Sequence, residues 1–537
     1  MKYCLSVLAA LLSIFGSRTE AQSLFQTRFD MKLGCNPSSL AKTKDHGCVV
    51  VGVAYKDSAF RSGEAFISKF DSSGTLQWAE KIGDSLFTRA YSVTQTDDEG
   101  YVFCGMLLKW DSIGVYDQDV YVVKLDSTGK VEWSESVGTE YDDFGLSILQ
   151  SFDGGYIIAG KSIGVGSRCY VIKLRNDGIL EWTRTIGGGS EFSFNGNAIV
   201  QLKDSNFIVT GERYNLATEV QSIYLLKLSK SGNVIWSRNL KGRRLMSVNS
   251  IIRTQDNSIV LCGSILDSNN RYSDIYTAKF DTAGNLLWTT SIDALGNSSG
   301  YSIIESSLKD FIISGTISTS SYIASILSLD VNGHLKWIKS IAQTAIQTGS
   351  GSIAEVSDDG LLLLGGILES NPTRYSGFIA KLDKDGNGCN SSIIHGVEHH
   401  IGTIFDTVLT IDSGGVAIRG FADSISFGAT TSDFCAQASN QENSYSKVPG
   451  ILLFPDPVEK HSRITIRCSD GLPQGHFEVI LRDEIGKEQS NVRITSTGGK
   501  QEIVIPISNL PAGIYTIEIV SANTLVKIWD GKFLVVE

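Results

Sequence analysis

A ten-residue phrase that ends in tryptophan recurs along this chain of 537 residues. Two of its copies are KFDSSGTLQW (Lys69 to Trp78) and KLDSTGKVEW (Lys124 to Trp133). Seven copies share a glycine, and these glycines lie 49 to 55 residues apart: Gly74, Gly129, Gly178, Gly232, Gly284, Gly333 and Gly386. A period near 50 with one tryptophan per unit is typical of circular or solenoid repeats, and above all of β-propellers.

Each repeat unit contains two pairs of apolar runs, and each pair flanks a polar turn. YSVTQTDDEGYVFCG (Tyr91 to Gly105) and DVYVVKLDSTGKVEW (Asp119 to Trp133) show both halves of one unit. Aspartate hydrogen-bonds to its own backbone in such turns, and glycine adopts the left-handed conformation at little cost. We therefore predict four strands, or one blade, per unit. We expect each repeat tryptophan to pack between adjacent blades, with its indole N–H on a backbone carbonyl. These tryptophans are Trp78, Trp133, Trp182, Trp236, Trp288 and Trp337.

The predicted number of blades depends on two incomplete segments. A further strand-like run occurs at Val416 (DSGGVAIRG), and SDFCAQ (Ser432 to Gln437) resembles the third strand of a unit. LFQTRFD (Leu24 to Asp30) resembles a fourth strand that lacks a blade. Closing a ring removes exposed strand edges, so we predict that residues 23–30 complete an eighth blade, with a seven-bladed ring as the alternative.

Composition and charge exclude some partners. The chain carries 47 basic and 58 acidic residues, a net charge of −11, and has no Lys/Arg-rich run. A nucleic-acid partner is therefore not expected. No stretch past the N-terminus has about 18 uninterrupted apolar residues, so no membrane span is predicted.

The N-terminus has the features of a secretory signal peptide. Lys2 supplies a positive charge, and a short apolar stretch follows from Leu5 to Phe15. Small residues at the predicted cleavage site place the cut between Ala21 and Gln22, so residues 1–21 would be removed. Eight cysteines would remain, none in a C-x-x-C pair, so no zinc or thioredoxin-type site is expected. Cys104 and Cys262 occupy equivalent positions in different units and are expected to be buried thiols.

The repeat phrase resembles the tryptophan-docking repeat of eight-bladed quinoprotein-like propellers. That family includes quinone-dependent dehydrogenases and an outer-membrane assembly scaffold. The resemblance implies the fold. The adjacent cysteine pair of the enzymes and the lipid-attachment cysteine of the scaffold are both missing from this sequence.

Residues 438–448 form a polar linker between the propeller, predicted over 22–437, and a second domain over 449–537. Short alternating strands in this second domain predict a small immunoglobulin-like sandwich. Its sequence closely resembles the type A sorting domain of the bacterial type IX secretion system. The matching segments are FPDPV (Phe454 to Val458), ISNLPAGIYTIEI (Ile507 to Ile519) and the terminal KFLVVE (Lys532 to Glu537). The sorting-motif residues within them are Pro455, Pro457, Gly513, Tyr515 and Lys532.

Four short motifs match patterns that carry chemistry elsewhere. Residues 155–162 fit the P-loop pattern, and residues 296–300 fit a nucleophile elbow, but both lie in strand or inter-blade sequence. His395 to His399 fits H-x-x-E-H, although Gly396 opposes the helix that a zinc protease needs. Asp383 and Asp385 could hold a structural calcium ion, but a plain turn is the favoured interpretation. We therefore predict no catalytic, cofactor-binding or metal-binding residues.

The leading functional hypothesis is a secreted or surface-displayed propeller that binds or adheres to an extracellular protein or glycan. The resemblance to the sorting domain implies export through the type IX machinery to the outer cell surface or the medium. Any ligand is expected at the longest loops, which are Lys109 to Asp119, Ile186 to Asn197 and Asn390 to Phe405. The alternatives are a secreted enzyme, either a quinone-dependent oxidoreductase or a hydrolase, and a periplasmic assembly scaffold.

Overall fold

The computed structural model describes residues 24–394 apart from short gaps, and from residue 397 onward it describes strands only. The gaps are 58, 84–86, 111–115, 165, 188–190, 242–244, 267–271, 295, 319–321, 342–346, 371–372 and 390. Every regular element in this described part is a β-strand, so the all-β prediction is confirmed. The chain divides into two compact units, Met1–Ala436 and Gln437–Glu537.

The first unit is a β-propeller. Five of its sheets are separate blades, and a ten-stranded sheet contains two more four-stranded blades joined at one parallel pair, Gly63 and Phe87. Blade 1 comprises Cys35–Lys42, Cys48–Tyr55, Gly63–Phe70 and Leu76–Ile82; blade 2 comprises Phe87–Gln95, Tyr101–Trp110, Tyr116–Leu125 and Val131–Gly138; blade 3 comprises Asp142–Gln150, Tyr156–Gly164, Gly166–Leu174 and Leu180–Ile186.

The next three blades repeat this order. Blade 4 comprises Phe192–Phe194 and Ala198–Gln201, which share one edge, then Phe207–Asn215, Val220–Leu228 and Val234–Lys241; blade 5 comprises Met246–Arg253, Ile259–Leu266, Ser273–Phe280 and Leu286–Asp293; blade 6 comprises Asn297–Glu305, Phe311–Ser318, Tyr322–Leu329 and Leu335–Ile341.

Blade 7 combines the two ends of the repeat region. Its first three strands are Gln347–Glu355, Leu361–Ser370 and Thr373–Leu382, and its fourth is the N-terminal strand Phe25–Asp30. Phe25 pairs with Lys381, and Phe29 pairs with Gly377. The prediction that residues 23–30 complete an eighth blade is therefore wrong. The described residues form the seven-bladed alternative, because the strand-like runs after residue 390 join existing blades and do not form a blade of their own.

Those runs form a belt along the outer edges of the blades. The belt consists of seven short strands: Ser391–Ile394, Val397–His399, Thr403–Asp406, Ile411–Asp412, Val416–Arg419, Ser424–Ser426 and Thr430–Asp433. They pair antiparallel with the fourth strands of blades 6, 5, 4, 3, 2, 1 and 7, in that order. The Val416 run is thus a fifth strand on blade 2. The belt gives each described blade an additional outer strand.

The core is divided among the interfaces between neighbouring blades. One cluster packs Val49 and Val51 of blade 1 against Phe103 and Tyr121 of blade 2. Equivalent clusters lie between each following pair, and one joins Ile379 of blade 7 to blade 1. The ring is therefore closed by hydrophobic packing as well as by strand pairing.

A buried lysine ties the third strand to the first turn within most blades. Lys124 Nζ lies 2.9 Å from Asp98 Oδ2, and Lys279 Nζ lies 3.0 Å from Asp256 Oδ2. The same ion pair recurs as Lys69 with Asp45, Lys173 with Asp153, Lys227 with Asp204 and Lys381 with Asp358. Blade 6 has Ser328 in place of the lysine.

The second unit contains two sheets. The three-stranded sheet orders Ile451–Phe454, Arg463–Cys468 and Gln501–Pro506; the five-stranded sheet orders Val458–Glu459, Lys527–Val536, Gly513–Ser521, Gly475–Asp483 and Glu488–Ser496. The sorting-motif residues Gly513, Tyr515 and Lys532 lie in paired strands, where Tyr515 is in register with Phe533 and Lys532 with Thr516. Pro455 and Pro457, like Ala21 and Gln22, lie outside the described residues.

Candidate functional site

The repeat tryptophans pack on the turn glycine of the following blade. A methyl group placed on Gly129 would lie 2.9 Å from the Trp78 ring, and one on Gly178 would lie 2.8 Å from the Trp133 ring. The same pairs are Trp182 with Gly232, Trp236 with Gly284, Trp288 with Gly333 and Trp337 with Gly386. Each of these tryptophan rings therefore lies against the turn of the next blade.

The predicted indole hydrogen bond holds for only some blades. Trp288 Nε1 donates to the carbonyl of Val331 at 3.2 Å, as expected. Trp182 Nε1 is buried with no hydrogen-bond partner among the described residues. The tryptophan ring therefore docks through its shape, and its N–H is not used in every blade.

A β-bulge in the first strand of the blades directs one side chain toward the propeller axis. In blade 2 the register shifts between Ala90 and Ser92, so Tyr91 is the extra residue. Bulges of this kind re-aim a side chain and are frequent at functional sites. The extra residues in blades 1, 3, 5 and 6 are Ser38, Leu146, Asn249 and Tyr301, and blade 7 has Gly351 and Ser352.

The bulge also explains the glycine that recurs within the second strand of the blades, such as Gly105 and Gly160. A methyl group on Gly105 would lie 1.8 Å from the carbonyl oxygen of Arg89, and one on Gly160 would lie 1.8 Å from that of Phe144. The bulged strand comes too close to the second strand for any side chain at that position.

A serine occupies the same place at the bulge in six of the seven blades, and five of these serines hydrogen-bond to the backbone of a neighbouring blade. Ser92 Oγ accepts a hydrogen bond from the backbone N–H of Ile148 in the next blade at 3.2 Å, and Ser352 Oγ donates to the carbonyl of Leu40 at 3.2 Å. Blade 4 has Ala198 at this position. The serines are Ser39, Ser92, Ser147, Ser250, Ser302 and Ser352.

These first strands surround a cavity of about 520 Å³ that all seven blades line. The structural serines are nearly constant around it, but the side chains at the bulge position differ from blade to blade. In blade order they are Ser38, Tyr91, Leu146, Asn197, Asn249, Tyr301 and Gly351. Small-molecule sites in proteins typically enclose about 300–1,000 Å³, so the cavity can hold a ligand of that class.

Arg89 is the single charged residue that lines this cavity in the described part of the chain. Its guanidinium carbon lies 5.0 Å from the centre of the Tyr91 ring. Its Nε is buried and has no hydrogen-bond partner among the described residues. A planar guanidinium with free donors can bind a carboxylate through two parallel hydrogen bonds.

The wall of the cavity at blade 4 contains a buried carboxylate. Asn197 Nδ2 donates to Glu212 Oε1 and Oε2 at 2.9 Å each, and the Val248 N–H donates to Glu212 Oε1 at 3.2 Å. Burial raises the pKa of Glu212 despite these hydrogen bonds. Glu212 thereby fixes the Asn197 amide, so Asn197 presents its Oδ1 away from this carboxylate.

A second polar cluster lies where blades 2 and 3 meet. Asp119 accepts hydrogen bonds from Lys109 and from Ser136 Oγ, the latter at 2.6 Å. Asp143 accepts from the Thr139 N–H at 2.5 Å. Burial raises the pKa of Asp143 to about 6, and the nearby Asp119 carboxylate contributes to the rise. This cluster does not line the axial cavity.

The ligand loops predicted from the sequence contribute little to the cavity. Among the described residues of these three loops, Asn197 at the end of Ile186 to Asn197 is the one that lines the cavity. The bulges were not predicted, although the serine that recurs in the first strand of six units was a visible signal.

Three of the four motif matches coincide with strands and the fourth with a turn, and His395 and Gly396 lie outside the described residues. The P-loop match falls on Tyr156–Gly164, and the elbow match runs into Asn297–Glu305, where Ser298 Oγ donates to the carbonyl of Ser273. Val397–His399 of the H-x-x-E-H match is a belt strand. Asp383 accepts hydrogen bonds from the backbone N–H groups of Asp385 and Asn387, as in the predicted turn.

The predicted state of Cys104 and Cys262 is confirmed. Both thiols are free and buried, as are those of Cys35, Cys48 and Cys169. Burial raises the pKa of Cys35 to about 12, so its thiol is unreactive at neutral pH. Cys389 is disulfide-bonded.

The described residues contain neither a cluster that could hold a metal ion nor a membrane-spanning helix. No group of three His, Cys, Asp or Glu side chains is placed to hold a metal ion there. The same residues include no helix with the length and hydrophobicity that a membrane crossing needs.

Comparison with known proteins identifies no family. No protein-family model and no curated protein matches this chain. Similar solved structures include a protein of unknown function from Dyadobacter fermentans, with 10% identity, a TM-score of 0.41, and coverage of 67% of this chain and 98% of that chain. Sqt1 from Chaetomium thermophilum shows 9% identity, a TM-score of 0.39, and coverage of 67% and 98%. PorZ, described as an essential surface component of the type IX secretion system of Porphyromonas gingivalis, shows 11% identity, a TM-score of 0.22, and coverage of 94% and 82%. We assign the propeller fold from the strand pairing of this chain itself.

Proposed function

We propose that this chain is an exported binding propeller that holds a small ligand in its axial cavity. The observation that carries the proposal is the contrast between two neighbouring rings of residues. The serine ring is nearly constant because it links the blades, whereas the bulge ring varies although every blade places it at the same cavity. A position that the repeat architecture leaves free, and that faces a cavity, can specialise for a ligand.

Export rests on the two ends of the chain. We propose that residues 1–21 act as a signal peptide cleaved between Ala21 and Gln22. We propose that residues 449–537 form an immunoglobulin-like sorting domain recognised by the type IX machinery, through segments that include Pro455, Pro457, Gly513, Tyr515 and Lys532. The support is the order of the matching sequence segments. The propeller would then act outside the cell, either free or on the outer surface, where it would bind or adhere to a glycan or protein.

Export is tested by the intact mass of the protein recovered from the native cell surface and from the culture medium. We expect the loss of residues 1–21 and of roughly the last 90 residues, the size of a sandwich domain. A periplasmic species that retains its C-terminus would refute the sorting role.

Ligand binding in the cavity is tested by blocking it. Gly351 has no positive φ, and a methyl group there would meet its nearest atoms at 3.7 Å. A Gly351→Trp variant should therefore fold and fill the cavity. Ser127→Trp, in an exposed turn, is the matched control. On a glycan array, the wild-type chain and the control should share ligands that the Gly351→Trp variant loses. Equal binding by all three would place the site elsewhere.

A further inference from the structure

We infer that the axial cavity takes an acidic sugar, a hydroxylated ring that carries a carboxylate. This inference rests on the proposed function and specifies its ligand class. It follows from three properties of the lining: one cation with free donors, two aromatic side chains, and amide oxygens left unused by the protein.

The charge of the cavity selects an anion. Arg89 is the one charged lining residue in the described part of the chain, and its buried Nε has no partner there. The Arg89 side chain is half-buried, and a carboxylate that pairs with the outer N–H groups of such a guanidinium gains more than it would in an exposed ion pair. The chain as a whole carries a net charge of −11, so this positive cavity does not reflect the overall composition.

Two tyrosines present surfaces for a ring. Tyr91 lies beneath the Arg89 guanidinium, which holds its position by a cation–π contact at 5.0 Å. Tyr301, four blades further around the ring, lines the same cavity and is 40% exposed. Each provides an apolar face and a hydroxyl that can donate or accept, which suits the mixed surface of a sugar ring.

The asparagines supply acceptors for hydroxyl groups. Asn197 donates its amide N–H groups to Glu212 and to the carbonyl of Val248, and Asn249 donates to the carbonyl of Gly300 at 2.8 Å. With their donors engaged, the Oδ1 atoms are the groups left to face a ligand. An acceptor-rich wall at blades 4 and 5 favours a ligand with several hydroxyl donors over a simple carboxylate.

The carboxylate of the ligand must therefore lie at blade 2. Glu212 stands behind Asn197 in blade 4, and like charges repel more strongly in a low-dielectric site. Arg89 on blade 2 and the hydroxyl acceptors on blades 4 and 5 thus define opposite sides of the cavity.

Isothermal titration of the full chain with three probes separates these contributions. The probes are D-glucuronate, which has the ring and the charge; D-glucose, which has the ring alone; and acetate, which has the carboxylate alone. We expect the Kd for glucuronate to be at least tenfold lower than for either other probe. Arg89→Gln should reduce this preference to about equal binding, and Arg89→Lys, which keeps the charge but loses the planar fork, should fall between. Arg61→Gln, at an exposed position, is the matched control for the loss of one charge.

The outcomes distinguish this inference from the proposed function. Equal affinity for glucose and glucuronate that Gly351→Trp abolishes would overturn the acidic-sugar assignment and leave cavity binding intact. Acetate binding as tight as glucuronate binding would reduce the site to a simple anion site. No binding of any probe, together with glycan-array ligands that Gly351→Trp does not affect, would overturn both. Circular dichroism of each variant confirms that a lost affinity is not a lost fold.

Discussion

The ring of Phe25 lies on Gly74, where a methyl group would come within 2.3 Å of it. This is the same relationship that Trp78 has with Gly129 one blade further on. Phe25 belongs to the N-terminal strand and completes blade 7, so it stands in for the tryptophan that the seventh repeat lacks. The docking contact therefore continues around the whole ring, and the seam between the first and last repeats is closed by the same contact as every other interface.

The seam contact should dominate the stability of the ring. Phe25 is 8% exposed, and replacing a buried phenylalanine with alanine typically costs about 3–5 kcal/mol. We expect Phe25→Ala to lower the free energy of unfolding by this amount, as measured by denaturant unfolding. Phe152→Ala, at a position that is 60% exposed, is the control and should change it little. Equal effects of the two variants would show that the ring does not depend on this seam.

The close approach of tryptophan and glycine can be measured separately from glycine's backbone role. Gly129 has φ +90° and would place a methyl group 2.9 Å from the Trp78 ring, whereas Gly154 has φ +81° and would meet nothing within 4 Å. Gly154→Ala should cost only the backbone strain of a left-handed alanine, roughly 1 kcal/mol. Gly129→Ala should cost about 1–3 kcal/mol more because the blades must separate. Equilibrium unfolding of both variants gives the difference, and equal values would disprove the steric argument.

The repeat phrase predicted the blades well because each of its recurring residues has a local structural role. Trp78 docks on the next blade, Gly129 forms the turn, and the strand pairs follow from the alternation around them. The Lys124–Asp98 ion pair joins residues 26 positions apart, so no local pattern revealed it, although both recur in most units.

Two features could not be predicted from periodicity. The bulge at Tyr91 adds one residue to the strand but leaves no mark in the period-two alternation of polar and apolar residues. The axial cavity and its lining were therefore not predicted. The belt strands have two to four residues each, too short to show alternation, and they are defined by the edges that they cover. The eighth-blade prediction failed for that reason: the Val416 run resembled the second strand of a unit, but its pairing partner is Val131–Gly138.

Asp143 should make stability depend on pH between its ordinary and raised pKa values. Its pKa in the folded chain is about 6, so the native state binds the proton more tightly than the unfolded chain does. Stability from this group is therefore present below about pH 4 and is lost as the pH rises through 6. Between pH 5 and pH 7 the loss is about 1 kcal/mol. From pH 5 to pH 7, the free energy of unfolding should fall by about 1 kcal/mol more in the wild-type chain than in Asp143→Asn. Denaturant unfolding of both chains at the two pH values measures this difference. An identical pH dependence in both would show that Asp143 keeps an ordinary pKa.

The disulfide of Cys389 is predicted to close the belt into a loop. Five cysteines of the propeller are free, which leaves Cys435 and Cys468 as partners once residues 1–21, which include Cys4, are removed as proposed. In the sequence, the belt starts two residues after Cys389, and its last strand ends two residues before Cys435. Its first and last strands pair with blades 6 and 7, which are neighbours. Peptide mapping without reduction should recover Cys389 linked to Cys435; a link to Cys468 would contradict this prediction.

The belt should protect the outer strand edges of the propeller. The fourth strand of each blade would otherwise expose unpaired N–H and C=O groups, and such edges promote aggregation. A chain that ends at Ala436 keeps the belt and loses only the second unit, whereas one that ends at Cys389 loses both. We expect the longer chain to be monomeric by size-exclusion chromatography and the shorter chain to aggregate or to unfold at a lower denaturant concentration. Both chains lack the second unit, and a reducing agent in both samples removes the effect of the Cys389 disulfide, so their difference reports on the belt alone. If the two behave alike, the blades are stable as four-stranded sheets and the belt has no protective role.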